Sequence, residues 1–203
     1  ACFPGQPVPH VKLTENLRQA EAPGLALFSA CFRAVLQGGE PPQPALADKA
    51  KQQGATLIRP RIQVCETDEL MDARILEALV SAKRHQTVAV LFPDSVTAVK
   101  VYKRLEVELR ERMVEAELSE KVNLARRHVR HFADVANSKG LEFDVVLLAG
   151  VDQYDLSNSS HINRLYVGIT RARQNLVLLS GTKTLAPQLA EVRAVYQDLA
   201  GRP

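Results

Sequence analysis

The 203-residue chain contains no Gly-x-x-x-x-Gly-Lys-Ser/Thr run. The nearest approach, Gly181-Thr182-Lys183-Thr184, has a threonine where the glycine before the lysine should stand. No Asp-Glu pair closes a strand to offer a magnesium site, because Asp68-Glu69 reads as a helix opening. A phosphate cradle, its lysine and its metal carboxylates are therefore missing, which excludes a self-sufficient nucleotide hydrolase. Cysteine is scarce: Cys2, Cys31 and Cys65 are scattered, with no Cys-x-x-Cys pair. That excludes a disulfide framework and a zinc site, and free thiols in a reducing cytoplasm are expected. His10, His85, His128, His131 and His161 form no triad or ligand spacing, so no metal centre is expected. No apolar run approaches the roughly 20 residues that span a bilayer, and no secretory signal is visible. The net charge is only +3, which excludes a uniformly basic nucleic-acid binder but not a local stripe. Arg126-Arg127-His128-Val129-Arg130-His131 is one such stripe. It reads either as a solvated strand edge or as a backbone-phosphate contact.

What is present describes a globular domain. The chain is 46% hydrophobic and 24% charged, and its length suffices for one sizeable core. It begins with Ala, so it is expected to be cut from something longer. Residues 1–12, with Pro4, Pro7 and Pro9, read as an extended lead-in, and residues 10–203 as a single domain. A helix is predicted over 22–37, stopped by Gly38-Gly39, followed by a Pro-rich connector over 40–54. A strand over 62–65 leads to a helix over 67–84, with Leu70, Ala73, Ile75, Leu76, Leu79 and Val80 near helical spacing. Residues 87–92, Thr-Val-Ala-Val-Leu-Phe, read as a central parallel strand. A helix is expected over 95–121, its alternating charges at Arg104, Glu108, Arg112 and Glu115 forming intrahelical pairs. Strands over 129–135, 144–149 and 175–180 and helices over 161–172 and 187–199 complete the pattern. Cys31, Cys65, Phe92 and Phe132 are assigned to the core. Alternating strands and helices predict an α/β fold, a mostly parallel sheet with helices on both faces.

Two segments carry chemistry. Ser138-Lys-Gly-Leu-Glu-Phe-Asp-Val-Val-Leu-Leu148 is a glycine turn leading into a buried strand, with the Glu142 carboxylate at its mouth. Gly140 lets the backbone bend closely against a ligand. Arg164-Leu-Tyr-Val-Gly-Ile-Thr-Arg-Ala-Arg173 places Arg171 on a short apolar segment read as helical, with Thr170 beside it. An arginine held on a packed element can be aimed, and its planar, permanently charged fork matches phosphate oxygens.

These segments resemble motifs of the UvrD/Rep-type superfamily 1 helicases: Lys-Gly-Leu-Glu-Phe, and Tyr-Val-Gly/Ala-x-Thr-Arg-Ala. A third, Leu13-Thr-Glu-Asn-Leu-Arg-Gln19, is similar to the family's Leu-x-x-Asn-Tyr-Arg-Ser, with Leu17 in place of the tyrosine that stacks on adenine. The resemblance covers residues 10–182 and implies the second RecA-like domain, of the P-loop NTPase type. It implies that Arg171 and Arg18 contact the terminal phosphate of ATP, that Glu142 contacts its sugar and that Gly140 shapes the loop. Ser138, Lys139 and Thr170 fall on the DNA side, Thr170 also positioning Arg171. Ala136 stands where the family commonly has a DNA-contacting histidine. Arg164 is read as structural, pairing with a carboxylate.

The family's phosphate loop and magnesium ligands lie on its first RecA-like domain. The implied partners are thus that N-terminal domain of the same parent and single-stranded DNA, with ATP and Mg2+ held mainly by the absent half. Only a helix and a short link precede the glycine turn, so the large accessory domain is reduced to the helix near 106–121. The chain is expected to complete the ATP site of a DNA helicase or translocase, and to be inactive alone. The alternative is a degenerate helicase-like domain kept as a non-catalytic nucleic-acid-binding or protein-docking module, a reading that Leu17 and Ala136 favour.

Overall fold

The computed structural model describes residues 22–52, 59–119 and 128–201. Its framework is a single six-stranded sheet. The strands are β1 (Arg61–Val64), β2 (Val88–Phe92), β3 (Ala116–Leu118), β4 (Arg130–Asp134), β5 (Phe143–Ala149) and β6 (Ala172–Ser180), in the order β1-β6-β5-β2-β4-β3. Every pairing is parallel. Strands β2 and β5 lie inside the sheet, and β2 is buried at all five positions, as an apolar, β-branched run requires when helices cover both faces.

The faces follow the period-2 alternation of the strands. Val88, Val90 and Phe92 of β2 and Val145, Leu147 and Ala149 of β5 pack beneath α3 (Asp68–Ser81) and α4 (Ser95–Glu111). The intervening Ala89, Leu91, Val146 and Leu148 face α1 (Pro23–Leu36), α5 (Ser159–Ile169) and α6 (Pro187–Ala200). Cys31, Cys65, Phe92 and Phe132 are core residues, as expected. Helix α1 stops where Gly38 takes φ 60° and Gly39 donates back to the Arg33 carbonyl. Helix α3 starts at Thr67, whose hydroxyl accepts from the Leu70 N–H at 3.2 Å, a side-chain cap that meets one of the orphan donors.

Several expectations need correction. The connector over 40–54 contains a helix, α2 (Pro44–Gln52). Proline opens it, and the small residues Ala47 and Ala50, one turn apart, bury against the α1 side of the core. On α3, Met71 is buried, while Leu70, Ala73 and Val80 remain exposed. The helix over 95–121 ends ten residues early. The chain turns at Met113, with φ 56°, and adds the short edge strand β3. The expected accessory remnant over 106–121 is thus the end of α4, a turn and this strand, with residues 120–127 outside the described residues. The charges of α4 are only partly intrahelical. Glu108 pairs with Arg112 at 2.7 Å, but Arg104 reaches across to α3, gripping Asp72 through two bonds of 2.6 and 2.7 Å and Asp68 at 2.7 Å.

The basic stripe is not a surface stripe where it is described. Arg130 and His131 are 5% and 1% exposed, because this segment enters an internal strand rather than an edge. Arg130 donates to the carbonyls of Ala82, Lys83 and Gln86 at 2.9, 3.4 and 3.1 Å, a cation at the C-terminal, electronegative end of α3. Burial holds its guanidinium below the ordinary arginine value. His128 is exposed and lies 3.1 Å from Glu115. Arg126 and Arg127 lie outside the described residues.

Candidate functional site

The segment between β4 and β5 is short and internally bonded. The Asp134 carboxylate accepts from the N–H and side-chain amide of Asn137 at 2.7 and 3.1 Å, an Asx-type turn. Ser138 is wholly buried, and its hydroxyl donates to the Val135 carbonyl at 2.7 Å. Leu141 N–H returns to the Ser138 carbonyl at 3.0 Å. Gly140 takes φ 84°, and a side chain there would have open space around it. The glycine serves the backbone conformation, not a crowded neighbour. Ala136, Asn137, Lys139 and Gly140 are exposed. Because β4 and β5 are parallel, the segment runs from the carboxyl end of one strand to the amino end of the other, where Glu142 stands.

The second segment arrives at the same corner. Tyr166 stacks on Phe32 of α1 with ring centroids 6.0 Å apart. Gly168 lets α5 lie directly on β5: a Cβ there would come within 2.6 Å of Leu148 Cδ2 and 3.3 Å of Val135 Cγ2. The helix ends at Ile169, so Arg171 lies past it, in the turn before β6, and not on the helix as expected. Strand β6 begins at Ala172, three residues sooner than its apolar run suggests, because it pairs with Phe143. The backbone N–H of Phe143 donates to the Arg171 carbonyl at 2.8 Å, fastening the two segments together.

The Arg171 side chain points inward. It is 5% exposed. Nε donates to the Val167 carbonyl at 3.0 Å, Nη1 to the Leu141 carbonyl at 3.0 Å and Nη2 to the Thr170 hydroxyl at 3.4 Å. Thr170 in turn donates to the Val167 carbonyl at 2.9 Å. Glu142 is partly exposed and stands 4.0 Å from Arg173, itself half exposed.

The fold thus brings Ser138, Lys139, Gly140, Glu142, Thr170 and Arg171 onto two adjoining segments at the amino-terminal ends of β5 and β6. Of these, Lys139 and Gly140 are exposed, Glu142 is partly so, and Ser138, Thr170 and Arg171 are buried. Arg18 and Leu17 lie outside the described residues. Arg164 donates to the Pro93 carbonyl at 3.4 Å, a structural bond to a carbonyl rather than to the expected carboxylate. Among the described residues no group of three His, Cys, Asp or Glu side chains could hold a metal ion, and no helix is long and apolar enough to cross a membrane.

A polar clamp beneath this corner escaped the sequence reading. The Asp144 carboxylate accepts from the N–H and hydroxyl of Thr87 at 2.8 and 3.0 Å and from Gln174 at 3.2 Å. The Asp144 N–H donates to the Thr87 hydroxyl at 2.9 Å. It ties the amino ends of β2, β5 and β6 together. A single acid at the head of an apolar strand was its only sequence signal.

The fold is an α/β domain with helices on both faces of one parallel sheet. Residues 131–179, which contain both segments of the corner, match the UvrD-like helicase C-terminal domain family. The C-terminal domain of a possible DNA helicase from Lactobacillus plantarum WCFS1 superposes with a TM-score of 0.60 at 21% identity, over 83% of this chain and 92% of that one. The helicase domain of Hef from Pyrococcus furiosus aligns at a TM-score of 0.42 and 16% identity, over 75% of this chain and 34% of that one. No curated protein matches. The family match is confined to residues 131–179, and the likeness to the Lactobacillus domain is one of fold.

Proposed function

We propose that this domain is the C-terminal motor half of an ATP-dependent DNA helicase or translocase. It completes an ATP site whose phosphate loop and magnesium ligands belong to an N-terminal RecA-like domain of the same parent. In this reading Arg171, with Arg18, meets the terminal phosphate, Glu142 accepts from a sugar hydroxyl and Gly140 lets the loop approach. Lys139 offers a cation to the backbone of single-stranded DNA, with Ser138 and Thr170 shaping that side. The magnesium supplies charge neutralisation on the phosphates when bound, held mainly by the other half. Phosphoryl transfer asks little of a protein beyond positioning and positive charge, and both can come from a domain that has no phosphate loop.

The observation that carries the reading is the 3.0 Å bond from Arg171 Nη1 to the Leu141 carbonyl. It joins the turn that carries the buried Arg171 to the glycine loop, and both lie in the segment matched to the helicase family. The test is DNA-stimulated ATP hydrolysis by the full-length protein, wild type against Arg171→Ala. A loss of about a hundredfold or more, with nucleotide binding retained, is the scale of an arginine finger. Equal rates would refute the motor reading. This chain by itself is expected to hydrolyse no ATP.

A second reading is a non-catalytic nucleic-acid-binding or docking module. The inward aim of Arg171 and the engaged hydroxyl of Ser138 favour it. In that case Arg171→Ala lowers the unfolding midpoint while the full-length protein shows no hydrolysis to lose.

A further inference from the structure

Three consecutive exposed residues, Lys83, Arg84 and His85, form the turn that joins α3 to β2. We propose that this turn is a docking surface for an acidic peptide, a run of aspartate or glutamate side chains on a partner protein. It uses none of the residues of the motor reading.

The turn is held from below. Arg130, 5% exposed, donates to the carbonyls of Ala82, Gln86 and Lys83 at 2.9, 3.1 and 3.4 Å. The Lys83 N–H donates to Gln86 Oε1 at 2.9 Å, and the Gln86 N–H returns to the Lys83 carbonyl at 3.0 Å. Gln86 Nε2 donates to Gln174 Oε1 at 3.1 Å, which ties the turn to the start of β6. The backbone is thus fixed inward while the charged side chains face solvent. Side chains carried on a fixed turn lose less entropy when a partner arrives.

These cations have no structural task. Past a helix end, a lysine or arginine ordinarily serves the last carbonyls and the negative end of the dipole; at α3 Arg130 fills that role. On α3 and α4, Arg74, Arg104, Arg110 and Arg112 each reach a carboxylate. Lys83 and Arg84 reach none among the described residues. With the Arg130 guanidinium beneath them, three positive groups share one turn, and an anionic segment gains from all of them. Carboxylates on a short peptide fit better than the backbone of a nucleic acid. No phenylalanine or tyrosine is exposed among the described residues to stack a base. A phosphate backbone continuing toward β5 would also meet the Asp144 and Glu142 carboxylates, the first linked to the turn through Gln174.

The test is fluorescence anisotropy of labelled octaglutamate with the 203-residue chain. Lys83→Ala combined with Arg84→Ala should weaken binding by about two- to thirtyfold, the range of two exposed ion pairs. Binding should also fade as salt is raised. Lys83→Arg combined with Arg84→Lys should bind like wild type, and Lys103→Ala, which removes an exposed cation on α4, should change nothing. The urea midpoint of the double alanine variant should stay at the wild-type value; a lowered midpoint would give the cations a structural task and overturn the proposal. Octaglutamine binding as tightly as octaglutamate, or equal affinity in wild type and the double alanine variant, would overturn it too. So would a labelled oligothymidylate whose binding depends on the same two residues, since the turn would then be a phosphate site.

Discussion

Truncating Asp144 to alanine should destabilise the domain by about 3 kcal/mol, and the figure follows from what the carboxylate holds. Two of its donors belong to Thr87, which is 8% exposed: a backbone N–H at 2.8 Å and a hydroxyl at 3.0 Å. Bonds to a charged acceptor contribute about 1.5–3 kcal/mol each, and a buried donor left alone costs about 1–3 kcal/mol. The lower end applies, because the site is only part-buried and water can reach one side. Gln174 sits in solvent and adds little. A loss of about 3 kcal/mol corresponds to a fall in Tm of about 6–12 °C for a domain of this size. Urea unfolding measures the free energy directly. Asp144→Asn, which keeps one acceptor oxygen, should lose about 1 kcal/mol. Thr87→Val combined with Asp144→Ala should fall short of the sum of the single losses by about 1 kcal/mol, since the hydroxyl-to-carboxylate bond is broken by either change alone. An Asp144→Ala protein within about 0.5 kcal/mol of wild type would refute the claim that this carboxylate clamps the strand ends.

Other outcomes follow from the same structure. Gly168→Val places a branched side chain where even a Cβ meets Leu148 at 2.6 Å; overpacking of this kind costs about 1–3 kcal/mol, and an unchanged urea midpoint would contradict the close approach of α5 to β5. Burial pushes the Cys31 thiol from 9.0 up to about 12. The folded state therefore keeps its proton while the unfolded chain gives it up, so stability present below pH 9 is lost as pH rises toward 12. By linkage the loss at pH 10 is about 1.4 kcal/mol. Cys31→Ala should show a smaller drop in unfolding free energy between pH 8 and pH 10, and an equal drop would assign the alkaline sensitivity elsewhere. Tyr196, pushed up to about 12 by burial, adds a smaller loss in the same direction.

Much of the framework was legible because it is written in local periodicity. The run Val88–Phe92 is apolar at every position, which only a strand covered on both faces tolerates. Thr67 announced α3 through its side-chain cap, and Gly38-Gly39 announced the end of α1. Helix α2 was hidden because prolines dominate its approach and its buried face consists of two alanines, Ala47 and Ala50. Strand β3 was hidden because three residues at a sheet edge carry too short a pattern to outweigh the helical charge spacing before them.

The two segments of the candidate site were also legible, as motifs and as residue chemistry. Sequence alone placed Gly140 in a turn and Glu142 at its mouth, and it put Arg171 on an apolar helix that ends two residues before it. It did not determine where those side chains point. Arg171 turns inward because the carbonyl of Leu141, thirty residues earlier, is brought within 3.0 Å by the pairing of β5 with β6. Arg130 and His131 are buried, not displayed on a stripe, because β4 lies between β2 and β3. Asp144 becomes a clamp only when Thr87, fifty-seven residues away, starts the neighbouring strand. Spacing along a chain fixes which residues share an element. The partner that a charged side chain finds is set by strand order and register, which join residues far apart in sequence, and only the tertiary structure holds that information.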